Sequence, residues 1–131
     1  MPVIRTSEGA MKKANRPDWS QVTSAGIFRI STEGGRFDCH YHECDEYWLI
    51  FKGKAKISTE DQTFYIQPGD IVCTKAGDEH DVVEVYEDLE AFYLEEGGPP
   101  DARRGHLHLS EEKAAGHPVP ALPLPDDFPQ R

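Results

Sequence analysis

The 131-residue chain has no long apolar run. Its longest uninterrupted apolar stretch, residues 47–51, spans five residues, whereas a helix needs about 20 apolar residues to cross a bilayer. Residues 1–19 contain four basic side chains with no apolar segment behind them, so they lack the order of a secretory signal. The sequence therefore predicts a cytoplasmic protein without a membrane-spanning helix.

Cysteine and positive charge are also scarce. The three cysteines are an odd number and form no Cys-x-x-Cys pair, which disfavours a disulfide framework and a thiolate zinc site. The formal net charge is −10, and no basic run interleaved with aromatic residues offsets it. Such a chain repels phosphate backbones and anionic lipids. We therefore expect free thiols, no nucleic-acid partner and no membrane partner.

The middle of the chain has the pattern of β-structure. From residue 27 to residue 94, short segments rich in Val, Ile, Phe, Tyr and Thr alternate with turns that contain Gly, Pro or Asp. Apolar residues recur with a period of two, as at Phe28 and Ile30 or at Val83 and Val85. No ten-residue stretch of this region has helical periodicity. The pattern predicts an all-β sandwich or barrel.

The two ends differ from this middle. Seven prolines follow Glu96, and proline cannot donate to a sheet ladder. Ser110, two acidic residues after it and Gly116 predict one short helix there, because they supply a cap, first-turn acids and a stop. We predict an N-terminal arm (residues 1–24) that packs on the β-domain or on a partner subunit, a β-domain (25–96), and a proline-rich tail (97–131) that is draped over it or partly disordered.

Four candidate metal ligands occur near predicted strand ends. His40 and His42 are two residues apart in an alternating stretch, so their imidazoles leave the same face of a strand. Glu46 follows after a short turn, and His80 begins another strand. Three imidazoles and one carboxylate suit manganese, iron, cobalt, nickel, copper or zinc. We predict that these residues bind one divalent transition metal.

The spacing of these residues resembles the two motifs of the cupin family. The first motif is matched at five positions, namely Gly34, His40, His42, Glu46 and Gly53. The second motif keeps Gly69, Gly77 and His80, but it has Lys75 where the family has proline and Glu84 where the family often has asparagine. The resemblance covers about residues 27–94. It implies a double-stranded β-helix, or jelly-roll, barrel with the metal inside.

Strand parity predicts the pocket around the metal. On regular strands, five side chains share a face with the ligands, and we predict them as the substrate pocket: Arg36, Asp38, Trp48, Ile50 and Val82. Glu84 would face the interior with His80. A buried carboxylate is either paired, for example with Arg36, or used for proton transfer. Glu84 and Glu46 are therefore the candidate catalytic residues.

The side chains on the other side of these predicted strands form an apolar outer face. Phe37, Tyr41, Leu49 and Phe51 would point away from the interior and need a cover. The N-terminal arm, the proline-rich tail and a second subunit are the three alternatives, and we expect a homodimer.

A second His-x-His sequence, at His106 and His108, lies in the tail. No carboxylate or cysteine flanks this pair at ligand spacing, so we predict a solvated or packing pair rather than a second metal site. A tail that folds back over the mouth of the barrel would change this interpretation.

The resemblance does not select a reaction. The cupin family includes isomerases, lyases, decarboxylases, dioxygenases, epimerases, storage proteins and sugar-sensing domains. The leading hypothesis is a small metalloenzyme of the isomerase or lyase type, in which the metal acts as a Lewis acid on a sugar, keto acid or hydroxy acid. The alternatives are a non-catalytic, metal-dependent module that binds or senses a small ligand such as a carbohydrate, and an iron-dependent dioxygenase.

Overall fold

The computed structural model describes residues 3–130, and strands dominate this range. The elements, in chain order, are a 3₁₀ helix (Thr6–Glu8), β1 (Val22–Ile30), β2 (Arg36–Phe37), β3 (Asp45–Thr59), β4 (Gln62–Ile66), β5 (Ile71–Thr74), β6 (His80–Glu96), α1 (Glu111–Ala115) and β7 (His117–Pro118). The predicted all-β fold class is confirmed.

Two long antiparallel strands, β3 and β6, form the frame of the barrel. Their pairing runs from Asp45 opposite Glu96 to Thr59 opposite His80. Strand β1 pairs with β6, β5 pairs with the first half of β3, and β4 pairs with its second half. A separate two-stranded sheet joins β2 to β7.

Strand β3 bends at Gly53, and the bend changes which side chains face inward. Gly53 has a φ of +88°, and a Cβ at this position would overlap the carbonyl group of Asp88. Only glycine fits such a left-handed, closely approached position. Before the bend the buried residues have even numbers, from Glu46 to Ile50, and after it they have odd numbers, from Ala55 to Thr59.

The proline-rich tail is ordered against the barrel. The Val85 N–H donates to the Pro120 carbonyl at 3.0 Å, and the Leu122 N–H donates back to the Val85 carbonyl at 3.1 Å. Val119 is 5% exposed and belongs to the core. Prolines are tolerated here because the tail runs at the edge of the sheets, where a missing N–H leaves no ladder bond unmade. These hydrogen bonds hold residues 119–122 against the barrel.

The N-terminal arm is held by main-chain hydrogen bonds to β1. The Met11 N–H donates to the Ala25 carbonyl at 2.7 Å, and the Ala25 N–H donates back at 3.1 Å. The Arg16 guanidinium donates to the Thr23 carbonyl at 3.1 Å. These contacts fix the arm beside the end of the barrel that carries His40.

Two further sequence predictions concern cysteines and membranes. Cys39, Cys44 and Cys73 are free thiols, as predicted. Within residues 3–130, the structure contains no helix with the length and apolarity that a bilayer crossing requires.

Candidate metal centre

His40 and His80 come from separate motifs and meet across an isolated β-bridge. The His40 N–H donates to the His80 carbonyl at 3.2 Å, and the His80 N–H donates to the His40 carbonyl at 2.9 Å. Directly opposite residues of an antiparallel pair project to the same face. Their imidazole rings consequently lie 4.2 Å apart between centroids.

Glu46 connects the remaining members of the cluster. Its carboxylate lies 3.4 Å from His42 Nε2 and 3.0 Å from His80 Nε2. The Trp48 indole N–H donates to Glu46 Oε1 at 3.0 Å and fixes the orientation of the carboxylate. The four predicted ligands are 1–5% exposed, and each offers a donor atom within 4.8 Å of the others.

The ring nitrogens of this cluster fit a metal ion. His42 Nε2 and both ring nitrogens of His80 are buried without a hydrogen-bond partner in the described chain, and such a group costs about 1–3 kcal/mol if nothing satisfies it. His42 Nδ1–H donates to the Gly105 carbonyl at 3.0 Å, and His40 Nδ1–H donates to the Asp38 carbonyl. Both rings therefore leave Nε2 free for the centre of the cluster, the arrangement typical of ligating histidines.

The protonation states of His40 and Glu46 also suit a cation. Burial and the neighbouring His80 lower the pKa of His40 to about 3, so this imidazole is neutral. Burial opposes the charge on Glu46, but the close contacts with His42 and His80 outweigh it and lower the pKa of this carboxyl. Neutral imidazole and ionised carboxylate are the forms that bind a metal.

The cluster opens into a cavity of about 550 Å³. Four aromatic side chains form much of its wall: Phe28, Phe37, Trp48 and Tyr93. Trp48, a predicted pocket residue, thus lies both at the cavity and against the ligand Glu46. Phe37 was predicted to face outward, and this prediction is wrong. The strand β2 ends at Phe37, so the alternation assumed from residue 36 to residue 42 does not hold.

Tyr93 and Glu95 are among the cavity residues that sequence reasoning missed. They lie opposite Trp48 and Glu46 in the β3–β6 ladder and share their inward face. The pairing register between β3 and β6 identifies these two residues. The sequence of one strand alone does not predict that register. Burial and the adjacent Glu46 carboxylate raise the pKa of Glu95 to about 7.

The predicted position of Glu84 requires a correction. The register of β6 on β3 shifts between the pairs Ile57–Val82 and Lys56–Glu84, which leaves one extra residue in β6. Such a bulge reverses the inward parity. Glu84 therefore leaves the face of His80, lies outside the cavity and accepts a 2.6 Å hydrogen bond from the Tyr86 hydroxyl.

Three other predicted pocket residues do not line the cavity. Arg36 is exposed on β2, because the short strand turns its side chain to solvent. Ile50 and Val82 are 4% and 0% exposed and pack in the hydrophobic core below the cavity. These two side chains face inward, as the alternation along their strands predicts, but they lie in the hydrophobic core rather than at the cavity.

The tail folds back over the mouth of the barrel beside Asp38. His106 Nδ1 and His108 Nε2 each bond to Asp38 Oδ2, at 2.8 Å and 2.7 Å. The His106 ring stacks on His40 with 3.6 Å between centroids. The fold-back changes the interpretation of the tail pair, because Asp38, His40 and His106 each offer a donor atom within 4.8 Å of the others and form a second possible metal-binding group. Asp38 lies next to the His and Glu cluster without lining the cavity.

Several solved structures share this fold. The DMSP lyase DddQ of Ruegeria pomeroyi has a TM-score of 0.58 at 22% identity, over 69% of this chain and 44% of that chain. A predicted oxalate decarboxylase of Thermotoga maritima has a TM-score of 0.52 at 19% identity, over 58% of this chain and 67% of that chain. A cupin superfamily protein of Desulfitobacterium hafniense has a TM-score of 0.52 at 18% identity, over 66% and 74%. At these identities the likeness shows the fold alone.

One curated relative is more similar in sequence. The uncharacterized protein y4oW of Sinorhizobium fredii is 39% identical over 71 residues, which are 54% of this chain and 33% of that protein. The chain therefore spans about a third of the length of this relative.

A sequence model of the cupin domain matches residues 26–95. This range is more than half of the 131 residues, and it contains all four members of the His and Glu cluster. The chain belongs to the cupin family.

Proposed function

We propose that this protein is a small metalloenzyme of the isomerase or lyase type that acts on an oxygenated small molecule. The observation that carries the proposal is the buried cluster of His40, His42, Glu46 and His80, whose donor atoms lie within 4.8 Å of one another. Two of its members, His40 and Glu46, line a 550 Å³ cavity. Manganese, iron, cobalt, nickel, copper and zinc all suit this donor set. When bound, such an ion would polarise a substrate oxygen as a Lewis acid.

The residues of the chain supply the remaining requirements of catalysis. Glu46 is committed to the cluster by Trp48, His42 and His80. Glu95 is the other carboxylate of the cavity, and it is placed to take or give a proton at the substrate. The aromatic wall reduces the access of water, which strengthens electrostatic interactions inside the cavity. We therefore assign the acid or base role to Glu95 in place of Glu84.

Two of the fold neighbours are named as a lyase and as a predicted decarboxylase. Their names support the proposal only in showing that this barrel hosts bond-cleaving enzymes, since a shared fold does not carry a shared reaction. The substrate of this chain has to be identified from its own cavity.

A metal-dependent binding or sensing module is the second candidate function. It is favoured by the curated relative, of which the chain matches only 33%, because a binding domain is often one part of a longer protein. The two functions differ in one measurement. A sensor binds its ligand without turnover, whereas an enzyme with the metal restored converts it. An iron-dependent dioxygenase would differ from both by consuming oxygen.

We also propose that the protein is a cytoplasmic homodimer. Three free thiols suit a reducing compartment. An apolar row crosses the outer face of the sheet from Ile71 through Leu49 and Phe92 to Ile27. Ile71 and Phe92 are 62% and 36% exposed, and Phe51 packs beside Phe92 at 5.3 Å between ring centroids. A second copy of the same face would cover this row.

Elemental analysis of the purified protein tests the proposed metal centre. We expect about one divalent transition metal per chain. His42→Ala and His80→Ala should each weaken metal binding about tenfold or more. His117→Ala, which removes an imidazole of the tail outside the cluster, is the matched control and should keep its metal. Equal metal content in all four proteins would overturn the proposal.

A further inference from the structure

We infer that the cavity binds a small organic anion, a carboxylate with an apolar or aromatic body, and that cations from both ends of the chain recognise it. The inference deepens the proposed function and rests on it for the position of the metal. Four cationic residues line the cavity: Lys12, Lys13, Arg16 and Arg104. These four positive charges surround one cavity in a chain whose formal net charge is −10.

These four cations have no acidic partner in residues 3–130. Elsewhere in that range five cations lie within 4.0 Å of a carboxylate: Arg29, Lys52, Lys54, Arg103 and Lys113. The contrast is sharpest between neighbours, because Arg103 is paired with Glu43 at 2.8 Å whereas Arg104 lines the cavity without an ion pair. The cavity cations are thus available to a ligand.

The charge balance of the cavity favours an anion over a neutral molecule. The carboxylates in its lining are Glu46 and Glu95, and Glu46 is already bound by His42 and His80. The positive charge of four cations and a divalent metal therefore exceeds the negative charge of the two carboxylates in the cavity. A concave site with excess charge of one sign concentrates ligands of the opposite sign. A neutral sugar would leave these cations without a partner.

Arg16 and Arg104 are the best-placed residues for recognition. One nitrogen of the half-buried Arg16 is anchored to the Thr23 carbonyl at 3.1 Å, which fixes the side chain and leaves the other donors of the guanidinium for a ligand. The planar guanidinium fork matches the two oxygens of a carboxylate. Arg104 lines the same cavity as Arg16 and makes no ion pair within residues 3–130.

The aromatic wall defines the rest of the ligand. The rings of Phe28 and Trp48 lie 4.8 Å apart between centroids, and those of Phe37 and Trp48 lie 5.8 Å apart. This surface offers dispersion contacts and few hydrogen bonds, so it suits a ring or a short hydrocarbon rather than a polyhydroxylated body. All four cations lie outside residues 26–95, the part that matches the cupin domain. Selection of the anion is therefore a property of this chain's own arm and tail.

A matched pair of probes tests the inference. Mandelate has a carboxylate, an aromatic ring and a hydroxyl group, and mandelamide is its neutral counterpart. Titration calorimetry and NMR on the protein with its measured metal content should show that mandelate binds about tenfold or more tightly than mandelamide, as expected for the loss of charge-assisted hydrogen bonds. Arg16→Gln combined with Arg104→Gln should remove this preference and leave mandelamide binding unchanged.

Arg36→Gln is the control for the change in charge, because Arg36 is exposed and lies outside the cavity. It should keep the preference for mandelate, and the melting temperature of each variant checks that it is folded. Equal binding of both probes, no binding of mandelate up to millimolar concentration, or an unchanged preference in the double variant would overturn the inference. Mandelate selectivity in a protein without metal would support the anion site and contradict the proposed metal centre, so the two failures are distinguishable.

Discussion

Glu46 and Glu95 lie directly opposite each other in the β3–β6 ladder, and both side chains reach the same cavity. Their surroundings differ. Glu46 accepts a hydrogen bond from the Trp48 indole N–H and contacts two histidines of the cluster, whereas Glu95 lies 3.7 Å from one of them, His42. These surroundings support the proposal that Glu46 binds the metal and Glu95 transfers the proton.

Substitution of the two glutamates should separate these roles. Glu95→Gln keeps the shape of the side chain and removes its ability to exchange a proton, so we expect retained metal and turnover slowed by about a hundredfold. Glu46→Gln should weaken metal binding about tenfold or more, because an amide oxygen is a poorer ligand than a carboxylate. Elemental analysis and rate measurements on both variants check the assignment.

Glu84→Gln is the matched control for this pair. Its carboxylate lies outside the cavity and bonds to Tyr86 at 2.6 Å, so neither metal content nor turnover should change. Full turnover in Glu95→Gln, or a large loss in Glu84→Gln, would contradict the assignment.

Removal of the metal should lower the thermal stability of the protein. A ligand that binds only the folded state stabilises it by about 2.7 kcal/mol at a hundredfold excess over its dissociation constant. Chelation should therefore lower the melting temperature of the wild type by several degrees, and added metal should restore it. His80→Ala, which removes a ligand of the cluster, should respond little to the chelator. An equal response of both proteins would show that the stabilising ion binds elsewhere.

The barrel and its family were predictable because local pattern determines them. Alternating apolar residues specify half-buried strands, and the spacing of His40, His42, Glu46 and His80 places four donors at one end of paired strands. Glycine at position 53 was part of the recognised motif for a physical reason, since its backbone has a φ of +88° and passes close to Asp88.

The lining of the cavity was predictable only in part, because it depends on pairings between distant strands. An extra residue near Val83 turned Glu84 outward, and after further register shifts along the same strand Tyr93 and Glu95 face the cavity. Parity counted from His80 cannot detect such a bulge. The cations of the arm and tail were likewise invisible as a group, because Arg16 and Arg104 meet at the cavity only after both ends fold onto the barrel.

The proposed dimer makes a prediction for the outer face of the sheet. Phe92 lies at the centre of the apolar row, opposite Leu49 on one side and Ile27 on the other. Light scattering should give twice the 14.8 kDa chain mass for the wild type. Phe92→Lys should give a monomer, because a buried unpaired ammonium opposes association. Leu124→Lys, at a 42% exposed site in the tail, should remain dimeric. A monomeric wild type over a wide concentration range would refute the prediction.

His117 links the proline-rich tail to the barrel through an ion pair. Its Nε2 lies 2.7 Å from Asp81 Oδ1, at the beginning of β6. Partial burial and the nearby Arg36 oppose the charged imidazole, but the bond to Asp81 and a second bond to the Pro118 carbonyl outweigh them, so the pKa of His117 is raised. The pair therefore fastens the tail most strongly when His117 is protonated.

The stability that this pair supplies should fall as the pH rises. Because the folded-state pKa lies above the unfolded value of about 6.5, the contribution is complete below that pH and is lost as the pH passes the raised pKa. His117→Ala should lower the melting temperature by about 2–3 °C at pH 6, an effect kept small by solvent screening, and by less at pH 9. The difference in melting temperature between variant and wild type at each pH cancels the effect of the other histidines. Asp81→Asn, which removes the partner of His117, should show the same pH dependence. A difference that stays constant from pH 6 to pH 9 would show that His117 holds the tail by packing alone.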